Sequence, residues 1–224
     1  MKKTLVLALS LGLCSLGSTA NAQDSKYFAP ATEKAMAPDD EGFIRRWLLL
    51  EPFNKPNRSN TPFVDSYIRD AFATNVPNPS PVTTLPSDGQ KVKIGDQELT
   101  WHALDSKLFN AKLYRFATER ELTKYGVVFW ATTVINCTED IPNVRMAVGS
   151  NSASMWWLDG KEAVILSGDR RMVQDDCLSP RLTLRKGRNV VTGAVINGPG
   201  MSDFCVRFIN EDGSPVKNLT ISVK

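Results

Sequence analysis

Residues 154–166 read SMWWLDGKEAVIL, residues 181–196 read RLTLRKGRNVVTGAVI, and residues 204–216 read FCVRFINEDGSPV. Each stretch joins β-branched or aromatic residues to a turn dipeptide: Asp159-Gly160, Lys186-Gly187 or Asp212-Gly213. Such dipeptides reach the backbone conformations that tight connections need, so the three stretches predict short strands of an antiparallel sheet. Working outward, the apolar run 43–50 is closed by Pro52, which has no N–H to give to a central ladder. Lys91–Ile94 and residues 98–101 flank Gly95-Asp96 as a hairpin. Residues 113–116, 125–136, 144–148 and 219–223 add further strands, the second of them rich in Val, Phe, Trp and Thr. Nine or ten strands of this kind predict an all-β fold, an antiparallel β-sandwich of two layers.

One short amphipathic helix is expected over 63–72, where Phe63, Tyr67, Ile68, Ala71 and Phe72 fall near helical spacing. Pro77, Pro79, Pro81 and Pro86 make residues 75–87 an extended internal loop, because a residue that precedes proline avoids the helical region. At the start of the chain, Lys2 and Lys3 precede an apolar run, 4–16, and small residues ending in Ala20-Asn21-Ala22. That is the pattern of a cleavable secretory signal over 1–22. Residues 23–41 read as an irregular leader, and 42–224 as one sandwich domain. The chain is thus expected to be secreted or periplasmic, and no later segment is apolar enough to insert in a membrane.

The 224 residues carry 27 basic and 24 acidic side chains, a net charge of +3. Loss of the signal removes two lysines and leaves +1, with no basic run to suggest a nucleic-acid partner. Three cysteines then remain, Cys137, Cys177 and Cys205. Cys137 and Cys205 lie in apolar runs and read as small buried hydrophobes, with a Cys137–Cys205 disulfide as the alternative that an oxidising compartment allows.

Four motifs, Trp47-Leu48-Leu49-Leu50-Glu51-Pro52-Phe53, Trp156-Trp157-Leu158-Asp159-Gly160-Lys161-Glu162, Leu184-Arg185-Lys186-Gly187-Arg188-Asn189-Val190 and Val206-Arg207-Phe208 with Asp212-Gly213-Ser214-Pro215, resemble the galactose-binding-like jelly-roll modules of secreted polysaccharide-degrading systems. The chain is also similar to small secreted bacterial proteins that carry an acetylxylan esterase label. The first resemblance implies a jelly-roll sandwich. The second implies association with plant xylan, and with it glycan-degrading enzymes as partners.

The residues an esterase would need are in thin supply. A serine esterase needs a nucleophile, a base and an orienting acid. His102 is the only histidine, and no serine sits in a strand-turn-helix elbow. His102 with Asp105 is the one base-and-acid pair on offer, and a loop or surface role for His102 is the simpler reading, so no catalytic residue is assigned. One histidine also cannot build a transition-metal site. Asp169, Asp175 and Asp176 could hold a structural calcium, but Arg170 and Arg171 among them favour local ion pairing, and no cofactor is assigned.

Sugar binding asks for less: an aromatic face for the C–H side of a pyranose and planar polar groups for its hydroxyls. Trp156 and Trp157 are adjacent in a strand and must point to opposite sides. One packs inside, and the other meets the outer surface or another chain segment. Trp101, Trp156, Trp157 and Tyr67 are therefore the candidate aromatic platforms, with Arg170, Arg171 and Asn151 as hydroxyl partners. Residues 197–203, Asn-Gly-Pro-Gly-Met-Ser-Asp, lack a Lys-Ser/Thr ending and read as a turn or flexible rim rather than a phosphate cradle. The sequence thus points to a non-catalytic module for a polysaccharide or oligosaccharide, with an acetyl esterase and an oligomerising structural protein as rivals.

Overall fold

The computed structural model describes residues 25–224, so the expected signal segment lies outside the described residues. In chain order the first elements are β1 (Phe28–Pro30), β2 (Arg46–Leu50), β3 (Phe53–Asn54), α1 (Asp65–Thr74), β4 (Lys91–Ile94), β5 (Gln97–Ser106), α2 (Leu113–Thr118) and β6 (Val127–Cys137). The rest are β7 (Ile141–Ser150), β8 (Ala153–Leu158), β9 (Lys161–Leu166), β10 (Cys177–Leu178), β11 (Leu182–Leu184), β12 (Gly187–Asn197), β13 (Phe204–Ile209) and β14 (Leu219–Ser222). The fold is an all-β antiparallel sandwich. A large sheet runs β1-β5-β2-β6-β12-β8-β9, with β4 added to β5 and with β3 and β14 added to β6. A small sheet has β7 at its centre, β13 on one side and β10 and β11 on the other.

The large sheet is buried on both faces, which explains why β6 (VVFWATTVINC) is apolar almost throughout. Alternate residues serve two cores. Val127, Phe129, Ala131 and Ile135 meet Val144, Met146, Val148 and Phe204 of the small sheet, while Val128 and Trp130 face Ile68, Ala71 and Phe72 of α1. A third layer therefore covers the outer face, made of α1 and the proline-rich segment after it. That segment is pinned to the sheet: Trp130 Nε1 donates to Asn75 O at 3.1 Å, and Thr192 Oγ1 to Pro81 O at 3.0 Å.

The turn dipeptides behave in two ways. Asp159 (φ 48°) and Gly160 (φ 77°) both lie in the left-handed region and close the β8–β9 hairpin, with Asp159 Oδ1 accepting from Val190 N at 2.7 Å. Lys186-Gly187, in contrast, joins β11 of the small sheet to β12 of the large one. It is a crossing between layers, held by Asn189, whose Oδ1 accepts from Arg185 N at 2.7 Å and whose Nδ2 donates to Arg185 O at 2.8 Å.

Two expectations are corrected. Residues 113–116 are not a strand but begin α2, since Leu113, Phe116 and Ala117 are buried at i, i+3 and i+4; four residues are too few to separate the two periods. The leader is not irregular throughout: β1 pairs with β5, Met36 bridges Ile221, and Phe28 packs edge-on to Phe116. Arg46, only 2% exposed, fixes the leader by donating to Lys34 O and Thr32 Oγ1 while forming a two-pronged pair with Asp105 at 2.7 and 2.8 Å.

Cys137, Cys177 and Cys205 are free thiols, so the alternative disulfide is not formed. Cys137 belongs to the inter-sheet core, whereas Cys205 alternates with the core residues Phe204 and Val206 and so faces the other side of β13. Among the described residues no helix is long and apolar enough to cross a membrane.

Candidate functional site

Strand register decides which loops meet. Phe204 stands opposite Ser150, Ala153 opposite Ile196, and Ser154 opposite Leu166, while Ala111 bridges to Phe204. The connections 107–112, 150–153, 167–176 and 197–203 are thereby gathered at one end of the sandwich. They border a cleft of about 510 Å³ whose polar wall includes Asn110, Lys112, Asn151, Arg170, Arg171 and Asp203, and whose apolar parts are Phe109, Met172 and Met201.

Asp203 is the centre of this wall. Its Oδ2 accepts from Lys112 Nζ at 2.5 Å and from Asn110 Nδ2 at 3.2 Å, and its backbone N–H donates to Asn151 Oδ1 at 2.5 Å. No described group donates to its Oδ1. Burial pushes the Asp203 carboxyl above the ordinary aspartate range, against the opposing pull of Lys112. Arg170 donates to Ser167 O at 2.9 Å and pairs with Asp176, whereas Arg171 is exposed and forms no ion pair among the described residues.

Five buried side-chain polar atoms lack a hydrogen-bond partner among the described residues: Arg45 Nε, Asn60 Oδ1, Asn110 Oδ1, Arg170 Nε and Ser202 Oγ. All but Arg45 Nε belong to residues of the cleft or its 197–203 loop. Each unmade bond costs about 1–3 kcal/mol. Their concentration at one place marks a wall that stability alone does not explain.

The predicted site residues divide. Asn151, Arg170 and Arg171 come together in the cleft. The aromatic candidates do not join them. Trp101 is 1% exposed on the outer-face core and Trp156 is 0% exposed between the sheets, so neither offers a ring face to a ligand. Trp156 lies 4.9 Å from the Phe204 ring and 5.9 Å from that of Trp47, and its Nε1 donates to Ser154 Oγ at 3.0 Å. Trp157 emerges on the opposite face, as alternation requires, but stacks on Trp130 at 5.7 Å and is partly covered by the third layer. Tyr67 stacks on Phe63 and donates to Asn57 Oδ1 at 2.9 Å. Sequence reasoning missed Asn110, Lys112 and Phe109, and it had Asp203 only as the last residue of a rim.

The esterase pair is not assembled. His102 Nε2 meets Glu51 Oε1 at 3.0 Å, while Asp105 is engaged by Arg46. No serine, threonine or cysteine side chain bonds to His102 among the described residues. The three candidate calcium ligands are individually partnered: Asp169 accepts from Asn60 Nδ2 at 2.8 Å, Asp175 pairs with Arg207, and Asp176 with Arg170. No cluster of three or more His, Cys, Asp or Glu suited to a metal occurs among the described residues.

The sequence matches no family model, and no curated protein matches it. Among solved structures, the PA14 domain of the antifreeze protein MpAFP superposes with a TM-score of 0.44 at 10% identity, covering 86% of this chain and 96% of that one. A PA14 sugar-binding domain from an RTX adhesin gives 0.40 at 10% identity, covering 79% and 96%. At that level of similarity neither likeness assigns a ligand to this chain.

Proposed function

We propose that this chain is a non-catalytic carbohydrate-binding module, secreted or periplasmic, that engages plant polysaccharide of the xylan type alongside glycan-degrading enzymes. The observation that carries the reading is the cleft: Asn151, Asp203, Lys112 and Arg171 bring an amide, a carboxylate and two cations to one rim beside Phe109 and Met201. Planar amide and carboxylate groups take paired sugar hydroxyls, and the apolar flank takes the C–H face. Asn151 suits this role, since its Oδ1 is committed to Asp203 N while no described group bonds its Nδ2.

A glycan array followed by calorimetric titration of the purified protein tests the reading. Binding to a xylan-derived oligosaccharide is expected, weakened at least several-fold in Arg171→Ala and in Asp203→Asn and unchanged in Trp157→Ala. Binding to no glycan, or binding indifferent to both cleft variants, overturns it.

A further inference from the structure

The loop that walls the cleft is shared with a second surface. Tyr114 N donates to Ser202 O at 3.0 Å, Gly126 N to Gly198 O at 3.1 Å, and Asn197 Nδ2 to Lys124 O at 2.8 Å. These bonds tie α2 and the segment 124–126 to residues 197–203. On them stands a ladder in which cations alternate with rings: Arg115 lies 5.1 Å from the Tyr27 centroid and 5.7 Å from that of Tyr114, and Lys124 Nζ lies 5.0 Å from Tyr114 and 5.6 Å from Tyr125. Tyr125, at 48%, is one of the exposed large apolar side chains among the described residues.

We propose that this ladder extends the cleft into a binding track for the uronic-acid residues of an acidic polysaccharide, a proposal that rests on the carbohydrate reading of the cleft. Charge sets the ligand class. Lys112 and Arg170 are neutralised by Asp203 and Asp176, but Arg115, Lys124 and Arg171 pair with no carboxylate among the described residues. Three cations held in no direct ion pair therefore border one continuous loop, with Arg115 near enough to Asp203 to feel its charge. A uronate carries what this surface lacks, a carboxylate for the cations and a pyranose C–H face for the exposed ring of Tyr125. Cations wedged between rings also hold those rings in place, which lowers the ordering cost on binding. Single-stranded nucleic acid would use similar side chains, but it needs ring faces free for stacking, and here the face of Tyr114 is approached by both cations.

Calorimetric titration with glucuronic-acid-substituted xylooligosaccharides of increasing length, and with their carboxyl-reduced neutral counterparts, tests the track. Affinity should rise with length, and carboxyl reduction should weaken the long ligands about fivefold, the scale of exposed ion pairs worth up to about 1 kcal/mol each. Arg115→Gln with Lys124→Gln, which keep the side-chain stems, should erase that difference while leaving a disaccharide bound as before. Equal binding of acidic and reduced ligands, a double variant that behaves as wild type, or tighter binding of a single-stranded oligonucleotide would each refute the track. Loss of disaccharide binding with no effect of Asp203→Asn on the longer acidic ligands would instead remove the cleft reading and leave the ladder standing alone.

Discussion

Gly193→Ala probes the packing that withdrew Trp156 from the surface. Gly193 stands opposite Trp156 in the β12–β8 ladder, and a Cβ there would lie 2.3, 2.4 and 2.6 Å from Trp156 Cζ3, Cε3 and Cη2. Carbon atoms rest about 3.5–4.0 Å apart, so the indole would have to retreat by roughly 1 Å or more. Phe204 and Trp47 block that retreat, and the Nε1–Ser154 bond would be strained. Overpacking of this kind costs about 1–3 kcal/mol, and the reduced freedom of the unfolded chain returns about 0.4–1 kcal/mol. A net loss of about 1.3 kcal/mol should lower Tm by about 3–5 °C in a domain of this size. Calorimetric unfolding at pH 7 measures it, with Trp156→Phe and the double variant completing a cycle. A smaller ring makes room for the methyl, so the two changes should couple favourably by about 1 kcal/mol. Glycan affinity measured well below the transition should not change. A Tm within about 1 °C of wild type, or strict additivity, would show that Trp156 does not rest on Gly193.

Asp203→Asn should raise Tm at pH 7 while weakening ligand binding. The folded carboxyl titrates above its unfolded value, so its stabilising effect is complete below about pH 4 and is lost as pH rises through the folded pKa; the neutral amide avoids that loss. A lower Tm with unchanged affinity would contradict the placement of a buried, functional carboxylate there. Burial pushes the Cys205 thiol up to about 12, so native protein at pH 8 should resist iodoacetamide at Cys205 and at the buried Cys137, while denatured protein labels at both. By the same linkage, the stabilisation from neutral Cys205 is complete below pH 9 and disappears as pH rises through about 12; prompt native labelling at Cys205 would be the contrary result.

The sandwich was legible because strand signals are local. Asp159-Gly160 encodes its hairpin in two residues, and the helical spacing of Ile68, Ala71 and Phe72 survives in α1. What was not legible depended on partners distant in sequence. Lys186-Gly187 has the chemistry of a hairpin turn, but which sheet receives each flank is set by β7 for β11 and by β6 and β8 for β12. Alternation separated Trp156 from Trp157 correctly, yet it could not reveal that the proline-rich segment and α1 would cover the second face. Asn151, Arg170 and Arg171 were found by residue type. Lys112 and Asn110 were missed because the bridge between Ala111 and Phe204, which brings them to Asp203, spans 93 residues of chain.

The 197–203 loop shows how a sandwich end can hold an exposed apolar side chain on a fixed backbone. Its entry is clamped, with Asn197 Oδ1 accepting from Ser152 Oγ at 3.1 Å and Nδ2 donating to Lys124 O, and its exit is fixed by Asp203 N on Asn151. Between them Gly200 takes φ 99°, where a side chain would be strained, and Met201 is 63% exposed. The middle is tied as well, since Asn197 Nδ2 also donates to Gly200 O at 3.2 Å and Ser152 Oγ to Met201 O at 3.4 Å. Met201 is thus held by its backbone while its side chain stands out from the rim. The bonds that place the Asp203 backbone and carboxylate come from Asn151, Asn110 and Lys112, outside residues 199–201, so a substitution at Met201 should change the apolar flank of the cleft without displacing Asp203.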